Sequence, residues 1–142
     1  MGNIVELREL DEAKLEEMLE DAREALFKLR FRDASAQLED YSQIKAERRE
    51  IAQIQTVLNM RRQAVEAATA VSEVAAALHG KTWEAKARFD YEETAYQVEF
   101  VDESGAELAS AFVDLNKKRV NGRRARKQKA QPRLVTSYKV AG

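Results

Sequence analysis

Glu24-Ala-Leu-Phe-Lys-Leu-Arg-Phe-Arg-Asp-Ala-Ser-Ala-Gln-Leu-Glu39, then Asp40-Tyr41-Ser42, then Gln43-Ile-Lys-Ala-Glu-Arg-Arg-Glu-Ile-Ala-Gln-Ile-Gln-Thr56: this stretch decides the fold. It reads as the end of one helix, a short corner and the start of a second. Leu26, Leu29, Ile44, Ile51 and Ile54 recur at helical spacing and are expected to face one another. Lys28, Arg30, Arg32, Lys45, Arg48 and Arg49 gather around the same corner on other faces. The expectation is an αα-hairpin with a cationic cluster at its tip.

Working outward toward the N-terminus, residues 3–10 fit a short helix or turn, and Asp11 is a plausible N-cap. From there Leu15, Met18, Leu19, Ala22, Ala25, Leu26 and Leu29 form a stripe that runs to about Ala36. Glu16, Glu17, Glu20, Asp21 and Glu24 fill the opposite side, where a solvated face is the simplest account. Phe27 and Phe31, four apart, fall partly off the stripe and mark a second contact surface, covered either within the protein or by a neighbour.

In the other direction Ser42 is a suitable N-cap for the second helix, with Lys45 at N3, so a full capping box is absent. Ile44, Ile51, Leu58 and Val65 recur every seven residues, and the pattern continues through Ala68, Val71, Val74, Ala75 and Leu78 to a stop at His79-Gly80. One helix of about 36 residues is expected, roughly 54 Å long at 1.5 Å per residue. The first helix is too short to cover it, so Val65–Leu78 needs another partner.

The next segment supplies one. Trp83, Ala85, Ala87, Phe89 and Tyr91 alternate with charged residues, Tyr96, Val98 and Phe100 alternate with Gln97 and Glu99, and Asp102-Glu103-Ser104-Gly105 marks a turn. A third run spans Leu108 to Leu115. These predict a small antiparallel three-stranded sheet, marginal alone, whose aromatic face packs on the overhanging helix or on another protein. After it comes a basic arm containing Lys117, Lys118, Arg119, Arg123, Arg124, Arg126, Lys127 and Lys129, with almost nothing apolar to bury. Leu134, Thr136, Tyr138 and Val140 alternate again, as in a final strand returning to the sheet. The expected class is therefore α+β, with a long-helix hairpin at 1–79, a small β extension at 80–115 and a basic arm at 116–142, unstructured through Arg133 and followed by the final short strand.

Charge is segregated. Residues 1–64 carry a net −3, residues 65–115 a net −8, and residues 116–142 a net +10. The last segment is suited to a polyanion, and residues 116–133, with nine cations and no acid, should bind one with steep salt dependence. Catalytic chemistry has little support. The chain has one histidine, His79, at a predicted helix end, no cysteine, and five scattered glycines that make no phosphate-cradling loop. The acids Glu92, Glu93, Asp102 and Glu103 fall in predicted turns. No enzyme activity, metal, cofactor or small-molecule substrate is expected, and with no long apolar run no membrane span either.

Several of these residues also carry a resemblance. Glu6-Leu7-Arg8-Glu9-Leu10, Leu29-Arg30-Phe31, Ala34-Ser35-Ala36-Gln37-Leu38-Glu39 and Ile44-x3-Arg48-Arg49-x-Ile51-Ala52-x-Ile54-x-Thr56 together resemble the universal large-subunit ribosomal protein 29 family over residues 1–62. Ala36 stands where that family often has glycine, and Tyr41 where proline or a small residue is common. The resemblance implies a cytoplasmic, ribosome-associated structural protein that binds 23S rRNA near the polypeptide exit tunnel. Its implied neighbours are large-subunit protein 23 and the nascent-chain factors that dock there. It implies Arg30, Gln37, Lys45, Arg48 and Arg49 as the main RNA contacts, with Arg32 and Lys28 weaker. The rival reading is a non-ribosomal helical-hairpin adaptor, binding a protein through its acidic helix face and sheet, with a nucleic-acid-binding tail.

Overall fold

A computed structural model describes residues 3–117 and 134–141. The chain divides into two compact units, residues 1–59 and 60–142.

The first unit is helical: α1 (Ile4–Glu9), α2 (Glu12–Ala34) and the first part of α3 (Ser42–Thr69). At the start of α1 the Glu6 carboxylate accepts the Asn3 main-chain N–H at 3.2 Å. Asp11 is the N-cap of α2, and its carbonyl takes the first intrahelical bond, from Leu15 N–H at 3.0 Å. The stripe read from the sequence forms the core. Leu7 of α1, Leu15 and Leu19 of α2, and Ile54 and Val57 of α3 are buried together, with Ile4, Leu10, Met18, Ile51 and Leu58 packed around them. Contacts fix the helix directions. Met18, Asp21 and Ala22 of α2 border Glu47 and Glu50, while Lys28 and Arg32 border Gln43 and Ala46. Advancing along α2 therefore retreats along α3, as an antiparallel hairpin requires.

The corner has a specific chemistry. Gln37 N–H donates to the Arg32 carbonyl at 2.9 Å and Ala36 N–H to the Asp33 carbonyl at 3.0 Å. Those two bonds are a Schellman motif, which needs a left-handed residue at the position after the cap. Ala36 occupies it, with φ +56°. A side chain there costs about 1–2 kcal/mol that glycine avoids. Ser42 does not act as the expected cap. It opens α3, and its N–H and hydroxyl both donate to Asp40 Oδ1, at 2.9 and 2.6 Å. The Ser42 hydroxyl, then its N–H, holds the Asp40 carboxyl below the usual aspartate value.

The second unit corrects two expectations. The single long helix is two helices: α3 ends at Thr69, and α4 (Ser72–Leu78) follows a break. Val71 at that break is extended, with φ −73° and ψ +126°, and the Thr69 hydroxyl donates to the Glu66 carbonyl at 2.9 Å, closing the last turn. The break resets the helical phase, so Val74 and Leu78 are buried while Ala75 is exposed. The expected stop is present, with Gly80 left-handed at φ +72° just after the His79 cap.

The sheet has four strands, not three. They are β1 (Glu84–Asp90), β2 (Ala95–Val101), β3 (Glu107–Val113) and β4 (Val135–Val140), antiparallel in sequence order. Alternation places Ala87, Tyr96, Val98, Phe100, Ala109, Ala111 and Val113 on one face, where they bury Ala64 and Ala68 of α3 and Val74 and Leu78 of α4. The alanine-rich helix end thus finds the cover that its overhang demanded. Trp83 meets Phe100 edge-on at 5.3 Å, and Phe89 meets Tyr96 edge-on at 5.2 Å. The β2–β3 turn is tied by Asp102 Oδ1, which accepts Ser104 Oγ at 2.6 Å and the N–H groups of Ser104 and Ala106 at 2.9 Å each. Asp114 N–H donates to the Leu134 carbonyl at 2.8 Å, tying the chain just after β3 to the residue before β4.

Candidate nucleic-acid interface

The cations of the corner separate into three groups. Ile54 and Val57 bury the inner side of α3, at 0% and 1% exposure. At about 100° per residue, Lys45, Arg48 and Arg49 lie roughly 120–220° around the helix from Ile54. All three are exposed, on the face turned away from the core. Among the described residues no ion pair engages them, nor Arg30 or Arg32. Their guanidinium and ammonium donors are left for an external acceptor.

Lys28 and Arg32, one turn apart on α2, border a shallow groove with Leu29, Gln43, Ala46 and Glu47. Lys28 is spoken for: its ammonium pairs with Glu24 at 2.6 Å, and this hydrogen bond and charge hold the Glu24 carboxyl below its usual value. Both side chains are mostly exposed, so the pair contributes little to stability. Arg30, two residues from Arg32, leaves α2 about 200° away, on the other flank. Gln37 is exposed at the corner. The cluster expected from sequence is therefore one continuous patch on α3 with two separated flanks on α2.

Ala52 and Thr56 belong to the same outer face of α3 and are exposed. Their spacing from Arg48 and Arg49 already implied this, but as uncharged residues they carried no chemical signal. The hairpin core does not cover Phe27, Phe31 or Tyr41, which are 70%, 67% and 64% exposed. Lys117 is exposed at the end of the described segment. The other arm residues singled out from sequence, Lys118, Arg119, Arg123, Arg124, Arg126, Lys127 and Lys129, lie outside the described residues.

His79 is an exposed helix-capping residue. Glu92 and Glu93 sit in the exposed β1–β2 turn, where their N–H groups donate to Asp90 Oδ1. No described helix is long and apolar enough to cross a membrane.

Comparison with known proteins adds an independent line. A sequence model of the family described as Ribosomal L29 protein matches residues 5–61. The large ribosomal subunit protein uL29 of Rubrobacter xylanophilus is 52% identical over 58 residues, 41% of this chain and 87% of that protein. Those of Corynebacterium aurimucosum and Streptomyces avermitilis are 52% identical over 56 residues and 44% over 61. These matches span 39% and 43% of this chain and 74% and 82% of the two relatives. No solved structure matches significantly.

Proposed function

Since the chain belongs to the ribosomal L29 protein family, and is thus a structural protein of the large ribosomal subunit rather than an enzyme, we propose that it binds 23S rRNA through the outer face of α3. The observation that carries this reading is the exposed triad Lys45, Arg48 and Arg49, turned from the core and engaged by no ion pair among the described residues. A rigid helix presenting three cations within two turns suits a folded RNA, which is recognised largely by shape, phosphates and 2′-hydroxyls. Arg30, Arg32 and Gln37 extend the contact at the corner. Lys28 contributes less because Glu24 already holds it. The basic stretch from Lys117 to Lys129 neutralises further phosphates. In its large subunit the protein sits near the polypeptide exit tunnel beside large-subunit protein 23, where nascent-chain factors dock.

Co-sedimentation tests this. The full chain should travel with large subunits and be released by rising salt, and Arg48→Glu with Arg49→Glu should leave at lower salt than wild type. Release at the same salt would overturn the role of the α3 face. The basic stretch is tested by changing its lysines and arginines to glutamine. Deleting residues 116–142 would also remove β4 from the sheet, so the two effects would be confounded.

A further inference from the structure

Phe27 and Phe31 of α2 are the two most exposed large apolar side chains among the described residues. Helical geometry sets them about 40° apart around the helix and about 6 Å apart along it. Arg30 leaves the same side of α2, about 60° from Phe27. Neither ring touches another aromatic ring among the described residues, and both are open to solvent.

The charges around the rings are settled locally, with one exception. Glu20 pairs with Arg23 at 2.9 Å and Glu24 with Lys28 at 2.6 Å, which neutralises the acids nearest the rings. Asp33, the next acid along α2, leaves the helix about 120° from Phe27, beyond Arg30. No ion pair among the described residues engages Arg30. The two rings therefore share their face with one uncompensated guanidinium.

The apolar surface is too short for a protein groove that receives a helix. Such a groove reads anchors at i, i+3, i+4 and i+7. Counted from Phe27 those positions hold Phe27, Arg30, Phe31 and Ala34, and one turn earlier stand Arg23 and Glu24. Two isolated rings beside a cation match an unpaired nucleotide better, because its base stacks on aromatic side chains and its phosphate accepts from a guanidinium. Stacked bases lie about 3.4 Å apart, so one base fits between rings about 7 Å apart, close to the spacing along α2. Both phenylalanines fall within residues 5–61, the part that matches a ribosomal family, which makes ribosomal RNA the source of that base.

We propose that Phe27 and Phe31 stack an unpaired base of 23S rRNA, with Arg30 on an adjacent phosphate. This contact rests on the rRNA-binding reading above and differs from it in kind, since stacking on α2 adds to charge on α3.

Filter binding of the full chain to 23S rRNA across a salt series tests it. Phe27→Ala with Phe31→Ala should lower affinity about five-fold or more, by the same factor at every salt concentration, because stacking releases no counterions. Phe27→Leu with Phe31→Leu keeps apolar bulk without an aromatic plane and should lose nearly as much. Phe27→Tyr with Phe31→Tyr keeps the plane and should bind within about two-fold of wild type. Full affinity in the alanine pair overturns the proposal, as does a loss confined to low salt, or a leucine pair that binds as well as the tyrosine pair. An alanine pair that binds naked rRNA normally yet leaves intact subunits at lower salt assigns the face to a protein neighbour and overturns it too. Arg48→Gln with Arg49→Gln in the same series keeps the two readings apart, since its salt slope reports the α3 face whatever the phenylalanines do. No rRNA binding by the wild type overturns both.

Discussion

Changing Arg48 and Arg49 together to glutamine is the sharpest perturbation of the α3 face. Both are exposed and outside any ion pair among the described residues, so nothing in the fold depends on their charge. Glutamine has nearly the helix propensity of arginine, and exposed changes of this kind alter stability by about 0.5 kcal/mol or less. The effect should therefore appear in binding alone. If each arginine neutralises one phosphate, each contributes about 0.9 to the slope of log affinity against log salt, so the pair contributes about 1.8. Measured against a 1 M reference, that slope is a loss of about 60-fold at 0.1 M salt. The assay is filter binding of the full chain to a 23S rRNA fragment across a salt series. Wild type and variant should converge toward 1 M. A slope change below about 0.5, or a constant offset at every salt concentration, would refute phosphate contact by these two side chains.

Other consequences follow from the same geometry. Lys28→Gln should change affinity less than Arg49→Gln in the same assay, since Lys28 must first leave Glu24. Ala36→Gly should raise unfolding stability by about 1 kcal/mol in chemical denaturation, by removing a Cβ from a left-handed position. Phe100→Ala, at 0% exposure in the sheet core, should cost about 3–5 kcal/mol in the same measurement. Asp102 is held below its usual value of 3.8 by the Ser104 hydroxyl and then the Ala106 N–H. A lowered folded pKa gives stability that is present above 3.8 and lost as pH falls through the folded value. Asp102→Asn should therefore flatten the acid side of the stability profile, read by thermal melting; an unchanged profile would show that the turn does not use the charge.

The hairpin was legible because one periodic signal, the stripe from Leu15 to Leu29 answered by Ile51 and Ile54, is also what the core buries. The break near Val71 was not legible. Apolar spacing continues across it, and the helix restarts from a valine cap that offers no polar side chain to announce it. β4 was visible only as a returning alternation. The register shift at Phe112/Val113 means that simple alternation from Leu134 does not assign every residue to its face. At the site, residue types were readable but directions were not. Arg30 and Arg32 are neighbours in sequence and lie on opposite flanks of α2, whereas Lys45, Arg48 and Arg49 share one face because their spacing matches the helical turn. The Glu24–Lys28 pair was open to spacing, since Glu24 is the only acid three or four residues from Lys28.

The outer face of α3 is proposed to lie against rRNA in the large subunit. The chain has no cysteine, so Ala52→Cys, on that face among the cations, gives a unique attachment point for a tethered iron chelate that cleaves nearby RNA by hydroxyl radicals. In isolated large subunits, localised 23S rRNA cleavage is expected that disappears when the cysteine is absent. Co-sedimenting protein that cuts no rRNA from position 52 would contradict it.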